Sequence, residues 1–141
     1  MPNGGGYRDD ENIANDVRLF RRLPLEWVIR DENLNCHRPS SQAFNNSQDG
    51  SPMSVFREDV LNSEGRTPSS VLAGTYSNYG LASLTAEVVR REGQGIAPDP
   101  LPDETSHALV FGSKPPKLRK RLAKAAELVI MPQQMQTETQ A

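Results

Sequence analysis

Two groups of side chains in this sequence have residue types that can do chemistry. The first group lies in a polar stretch that contains Cys36, His37, Arg38, Ser40 and Ser41. The guanidinium of Arg38 presents a planar fork that suits phosphate or carboxylate, and serine hydroxyls can close around such an anion. We therefore treat Arg38, Ser40 and Ser41 as catalytic candidates. The alternative is that these polar residues are present because loops favour them for conformational reasons.

The same loop continues to Asp49-Gly50, which is the strongest turn signal of the chain. We predict that Asp49, Ser51 and Ser54 bind a ligand, since hydroxyls at these positions can close around the same anion. An ordinary turn at Asp49-Gly50 is the alternative interpretation. A loop as long as residues 31 to 53 is typical of either a functional or a partly disordered segment.

The second group centres on His107, which follows Asp103 and Glu104 and begins a short apolar stretch. A histidine beside carboxylates can act as a general base, so His107 is a further catalytic candidate. It could also pair with Cys36 as a nucleophile if the fold brings the two together, or serve only as a hydrogen-bonded structural residue. One cysteine and two histidines give a zinc site weak support, so we assign no metal, and the cofactor is unknown.

All four lysines of the chain fall between residues 114 and 124, and this segment predicts a basic amphipathic helix. Pro115 and Pro116 suit the beginning of the helix and Pro132 suits its end, with the apolar run 128 to 130 inside it. We predict that the cationic face binds phosphate or an acidic partner through four side chains: Lys117, Lys120, Arg121 and Lys124. A solvated outer face of a docked helix is the alternative.

Charge and composition limit the classes of partner. The net charge is −2, and the basic segment follows an acidic body, so we rank a protein partner or a phosphate-bearing ligand above bulk nucleic acid. The sequence has no apolar run of transmembrane length and no signal-peptide core, which predicts a cytoplasmic protein that does not bind membranes. The single Cys36 agrees with a reducing compartment. The oligomeric state stays open.

Turn and cap residues predict the elements that position these groups. We expect a single α+β domain over residues 11 to 132, with flexible tails at 1 to 10 and 133 to 141. Its sheet should have three or four strands, with the C-terminal basic helix packed on it. The first predicted helix is capped by Asn15 or Asp16 and runs through Arg22. The other predicted helices are 55 to 63, a short one from Pro68 that ends at Gly74, 86 to 92 and the basic helix. The predicted strands are 25 to 30, 80 to 84 and 107 to 111.

The function that these observations favour is a small binding domain that recognises a protein or a phosphate-bearing ligand. The alternative is a small enzyme that acts on a nucleotide or phosphate-containing substrate through Arg38, a loop serine and His107, which should then share one pocket. A looser hypothesis is ADP-ribosyl transfer by Arg38, the strand end 83 to 85 and a glutamate, Glu87 or Glu104. An assembly subunit that acts through an apolar surface is the third class.

Overall fold

The structure, a computed structural model, describes residues 6–135 and contains both β-strands and short helices. The strands are β1 (Arg18–Leu23), β2 (Val28–Asp31), β3 (Cys36–Pro39), β4 (Met53–Arg57), β5 (Gly80–Thr85), β6 (Gly95–Pro98), β7 (His107–Phe111) and β8 (Glu127–Ile130). The α-helices are α1 (Glu58–Ser63), α2 (Ala86–Arg91) and α3 (Pro116–Ala125). Single 3-10 turns occur at Leu25–Trp27, Ser41–Phe44, Pro68–Val71 and Gly74–Tyr76.

Six strands form one antiparallel sheet in the order β6-β7-β4-β1-β5-β8, and β2 pairs with β3 in a separate hairpin. The central strand is β1, in which Phe20 pairs with Phe56 of β4 and with Ser83 of β5. At one edge, the backbone of Gly80 lies against Ile130 and Pro132, and an added Cβ would come within 2.5 Å of the Ile130 carbonyl oxygen. Glycine is therefore needed where β5 meets β8.

The two faces of the sheet are covered differently. One face carries the main core, in which Leu19, Val55 and Val110 pack against α2, α3 and the turn Ser41–Phe44. The opposite face carries a smaller cluster that consists of Phe20, Phe56, Leu61, Val71 and Leu81. Because α1 and the turn Pro68–Val71 supply only Leu61 and Val71 to this second face, they leave part of it open to the cavity described below.

The predicted fold, a three- or four-stranded sheet with the basic helix packed on it, is wrong, because the sheet has six strands. Residues 18 to 22, which we expected to be helical, belong to the central strand β1. The buried residues Leu19, Phe20 and Leu23 have the spacing of a helix face, yet both sides of this strand are covered. A strand that is buried on both faces lacks the alternation by which strands are recognised.

The basic helix is shorter than predicted and is placed differently. It ends at Ala125, and the apolar run that follows it forms the edge strand β8, which pairs with β5. The β-branched residues Val129 and Ile130 favour this extended conformation. The main contacts of α3 are with the turn Ser41–Phe44 and with α2, and its Leu118, Leu122 and Ala123 join the main core beside this turn.

Parts of the predicted tails fall within the described residues. The Asp9 carboxylate accepts a hydrogen bond from the Ile96 amide at 2.9 Å, and the Asp10 amide donates to the Ile96 carbonyl at 2.8 Å. Met135 is buried. The remaining predicted tail residues, 1–5 and 136–141, lie outside the described residues. Across residues 6–135, no helix is both long enough and apolar enough to cross a membrane.

Candidate functional site

A cavity of about 580 Å³ lies on the second face of the sheet. This volume lies within the range of roughly 300–1,000 Å³ that is typical of small-molecule pockets. Three strands supply its floor through Arg22 of β1, Ser54 and Phe56 of β4, and His107 of β7. Its walls come from loops, including the aromatic residues Tyr76 and Tyr79 and the segment 101 to 104.

Strand register explains why these side chains meet. Phe56 pairs with Phe20 on one side and with His107 on the other, so all three project from the same face. Side chains alternate along a strand, so Arg22 and Ser54, each two residues from a paired phenylalanine, project from that face too. The residues between them, such as Val55 and Ala108, point into the main core. The register thus brings polar side chains from three strands together.

His107 is held through both nitrogens of its ring. Nε2 lies 3.0 Å from Ser54 Oγ, while Nδ1 lies 3.0 Å from the carbonyl oxygen of Asp99 and 3.1 Å from its carboxylate. The Asp99 amide in turn donates to the carbonyl of His107 at 3.0 Å. The edge of the ring packs on Phe56 with centroids 5.8 Å apart. Ser54, His107 and Asp99 therefore form a hydrogen-bonded row with the arrangement of a nucleophile, a base and an orienting carboxylate.

Arg22 places a cation with unused donors in the cavity. Its guanidinium lies 3.7 Å from the ring centroid of Tyr76 and 4.4 Å from that of Phe56, and Nε donates to the Val71 carbonyl at 2.9 Å. Within residues 6–135, its two terminal nitrogens have no hydrogen-bond acceptor and no carboxylate forms a salt bridge with it. Burial lowers the pKa of Arg22 below its usual value. An anion here would supply the missing acceptors.

The neighbouring Arg21 has a different, structural role. Its Nε donates to the Ala43 carbonyl at 2.8 Å and its Nη1 to the Ser54 carbonyl at 2.9 Å, and the guanidinium lies 5.2 Å from the ring of Trp27. Burial lowers the pKa of Arg21 to about 10. Because the Nε and one terminal nitrogen are taken up by carbonyls, Arg21 ties β1 to β4 and to the turn Ser41–Phe44.

Glu104 lines the cavity with its charge neutralised by Arg66, whereas Glu26 and Asp103 line it without a salt bridge within residues 6–135. Glu104 accepts hydrogen bonds from Arg66 at 2.8 and 2.7 Å and from the Ser106 hydroxyl at 2.7 Å. Burial opposes ionisation of Glu104, but the hydrogen bonds from Arg66 and Ser106 outweigh it, so the pKa of Glu104 is below its usual value. Glu104 is therefore a charged structural group at this wall, and Arg66 is already paired.

The structure does not bring Arg38 to His107, because the two line different cavities. Arg38 pairs with Asp31 at 2.8 Å and lines a second cavity of about 270 Å³. That cavity is also lined by four of the predicted site residues: Ser40, Ser41, Lys120 and Lys124. The hydroxyl of Ser40 is buried and has no hydrogen-bond partner among the described residues. The residues of the predicted enzyme site are thus divided between two cavities. Ser54 is the serine of the polar stretch that lines the cavity of His107.

The other predicted site residues lie on the surface. The carboxylate of Asp49 accepts hydrogen bonds from the amide and the hydroxyl of Ser51, at 3.0 and 2.6 Å, in an exposed turn. Arg121 pairs with Glu92 at 2.6 Å. Lys117 is exposed and, in the part of the chain that the structure describes, forms no salt bridge. Cys36 is exposed and lies in the hairpin, outside the residues that line the cavity of His107.

Sequence reasoning missed Arg22, Asp99 and Tyr76. Arg22 was inside a segment that we predicted to be helical, and Asp99 was in a proline-rich stretch without a predicted role. A more useful signal was the position of Asp99 and His107 at the two ends of one short loop between strands. A loop between neighbouring antiparallel strands brings the residues at its two ends close together. Among residues 6–135, no group of three or more histidine, cysteine and acidic side chains is arranged to hold a metal ion.

No protein-family model, curated protein or solved structure matches this chain. The geometry of the cavity is therefore the basis on which a function is assigned below.

Proposed function

We propose that this protein binds a small phosphate-bearing molecule in the 580 Å³ cavity, with Arg22 as the anchor of the phosphate. The observation that carries the proposal concerns the Arg22 guanidinium. Two aromatic rings and the Val71 carbonyl hold it in place, and its terminal nitrogens have no hydrogen-bond acceptor within residues 6–135. A fixed fork of this kind matches the oxygens of phosphate by two parallel hydrogen bonds.

The other cations near the cavity support this choice of anchor. Arg21 is bound to backbone carbonyls and Arg66 to Glu104, so neither has the donor set that Arg22 keeps. The exposed ring of Tyr76 and the side chain of Leu101 offer apolar surface to the rest of the ligand. Such a pocket combines a small number of polar groups with hydrophobic walls, as ligand sites usually do. A cytoplasmic location stays a prediction.

The test is calorimetric titration of the full chain with inorganic phosphate and phenyl phosphate, at low and high salt. We expect Arg22→Gln to weaken binding about 10- to 100-fold, which is the range for loss of a charge-assisted bidentate contact. Arg18→Gln is the matched control, because Arg18 projects from the same face of β1 but pairs with Glu58 outside the cavity.

Equal affinities of Arg22→Gln and the wild type would reject Arg22 as the anchor. Tighter binding of benzoate than of phenyl phosphate would replace phosphate by carboxylate as the recognised group. Circular dichroism melting curves of both variants establish that a loss of binding is not a loss of folding.

A second candidate is a protein or phosphate contact at the basic face of α3. It is favoured by Lys120 and Lys124, which flank the 270 Å³ cavity beside Arg38 and the unpartnered hydroxyl of Ser40. The double variant Lys120→Gln, Lys124→Gln should weaken such binding and flatten its salt dependence. Arg22→Gln should leave it unchanged, so the two candidates are separable.

A further inference from the structure

The tautomer of His107 follows from its partners. The two oxygens near Nδ1, the carbonyl and the carboxylate of Asp99, can only accept hydrogen bonds. Nδ1 therefore carries the ring proton, and the lone pair of Nε2 faces the hydroxyl of Ser54. A neutral imidazole in this state is ready to take a proton from the serine.

The orientation of the imidazole is fixed by the backbone as well as by the carboxylate. The Asp99 side chain is 47% exposed, so its charge is screened, whereas the reciprocal bonds between the main chains of Asp99 and His107 do not depend on that charge. Phe56 packs against the ring from the floor of the cavity. Asp99 is therefore a positioning residue whose main chain does much of the positioning.

Ser54 is the group on which His107 acts. Its Oγ has His107 as its hydrogen-bond partner within the described chain, and the residue lines the same cavity as Arg22. Both side chains project from one face of adjacent strands, as the register shows. A phosphate held by the Arg22 fork would thus lie on the side of the cavity floor from which the Ser54 hydroxyl projects.

We propose that Ser54 is a nucleophile, activated by His107, that attacks the phosphorus of a phosphate ester bound at Arg22; this inference depends on the proposed function. In the first step, the Oγ–P bond forms and the bond from phosphorus to the leaving alcohol breaks. The hydroxyl proton passes to His107 Nε2 and then to the leaving oxygen. Water next attacks phosphorus and gives a proton to Nε2, which returns it to Oγ as the Oγ–P bond breaks and inorganic phosphate leaves. Arg22 stabilises the negative charge on the phosphoryl oxygens.

The test is covalent labelling of the full chain with diisopropyl fluorophosphate, followed by intact mass measurement and peptide mapping. In this reaction, Oγ bonds to phosphorus, fluoride leaves and the hydroxyl proton goes to Nε2. We expect one label, on Ser54, and none on Ser54→Ala. His107→Gln should react at least about 100-fold more slowly, the usual contribution of a general base. Ser63→Ala is the matched control, because Ser63 is exposed, donates to the Val60 carbonyl and lies outside the cavity, so it should not affect labelling.

Saturating phosphate should slow the labelling of the wild type, because it occupies the site beside Ser54. The absence of a label on Ser54, an equal rate in His107→Gln, or a lack of protection by phosphate would each overturn the inference. If His107→Gln does not fold, the protection experiment decides. Phosphate binding to Ser54→Ala separates the two proposals, since intact binding without labelling of the wild type rejects only the nucleophile.

Discussion

Arg66 and Glu104 form a two-pronged salt bridge, with distances of 2.8 and 2.7 Å, that fastens the loop after α1 to the segment before β7. Glu104 also accepts the hydroxyl of Ser106, and Glu64 accepts that of Thr105. The cavity wall formed by residues 101 to 104 is therefore held by the residues that follow α1, Glu64 and Arg66. This salt bridge holds one wall of the proposed site, so its contribution to stability can be measured separately from ligand binding.

We expect Glu104→Gln to lower the free energy of unfolding by about 2 kcal/mol at neutral pH, because the Arg66 guanidinium loses a charged partner. The pKa of Glu104 is lowered in the folded chain, so its contribution is fully present above the usual glutamate pKa of 4.5 and is lost as the pH falls through the folded value. Urea denaturation at several pH values measures this. A difference between wild type and variant that did not shrink in acid would contradict the assignment.

The His107 tautomer can be observed directly. Long-range proton–nitrogen NMR spectra should show the proton on Nδ1 and a lone pair on Nε2, because both oxygens of Asp99 that face Nδ1 are acceptors. His37, the other histidine of the chain, is an internal reference, since its ring has no hydrogen bond within residues 6–135. A spectrum with the proton of His107 on Nε2 would contradict the geometry.

Lys114 gives a prediction at alkaline pH. It is buried and donates to the Val110 carbonyl at 2.8 Å and to Asn46 at 2.6 Å. Burial, with repulsion from Arg21, lowers the pKa of Lys114 from 10.5 to about 8. Between these pH values the unfolded chain binds more protons at this position than the folded chain, so the free energy of unfolding should rise with pH, by about 3 kcal/mol at most.

The measurement for Lys114 is urea denaturation at pH 8 and pH 10, compared with Lys114→Met, which lacks the titrating group. The rise should disappear in Lys114→Met and persist in Lys117→Met, whose lysine is exposed. If the free energy of unfolding changed equally with pH in the wild type and in Lys114→Met, the prediction would be contradicted. Lys114 would then stay charged in the folded chain, stabilised by its carbonyl and amide acceptors.

Local signals in the sequence were sufficient where an element is marked by its own residues. The strand predicted at 107 to 111 is present as β7, and the helix predicted at 86 to 92 is present as α2, which Thr85 caps through the Val88 amide. Local signals in the sequence were insufficient where pairing between distant segments decides the structure. The residues of β1 follow helical spacing and the run 128 to 130 comes directly after a helix, yet both form strands that pair with β5.

The same distinction applies to the candidate site. From residue type alone, we predicted His107 as a catalytic residue and Ser54 as a ligand-binding residue. Their partnership depends on the register that places Phe56 opposite His107, and the role of Arg22 depends on rings supplied by Phe56 and Tyr76. No pattern within one segment contains that information. Arg38, the residue that looked most suitable for an anion, is instead paired with Asp31.

The central position of β1 has a consequence for how the chain folds during synthesis. Phe20 pairs with Phe56 on one side and Ser83 on the other, so β1 leaves the ribosome long before either neighbouring strand exists. Pairings between distant segments form slowly, because the intervening chain must first be closed into a loop. A nascent chain that stops short of β5 would present β1 with an open apolar edge, the kind of surface that chaperones cover and that pairs wrongly with other chains.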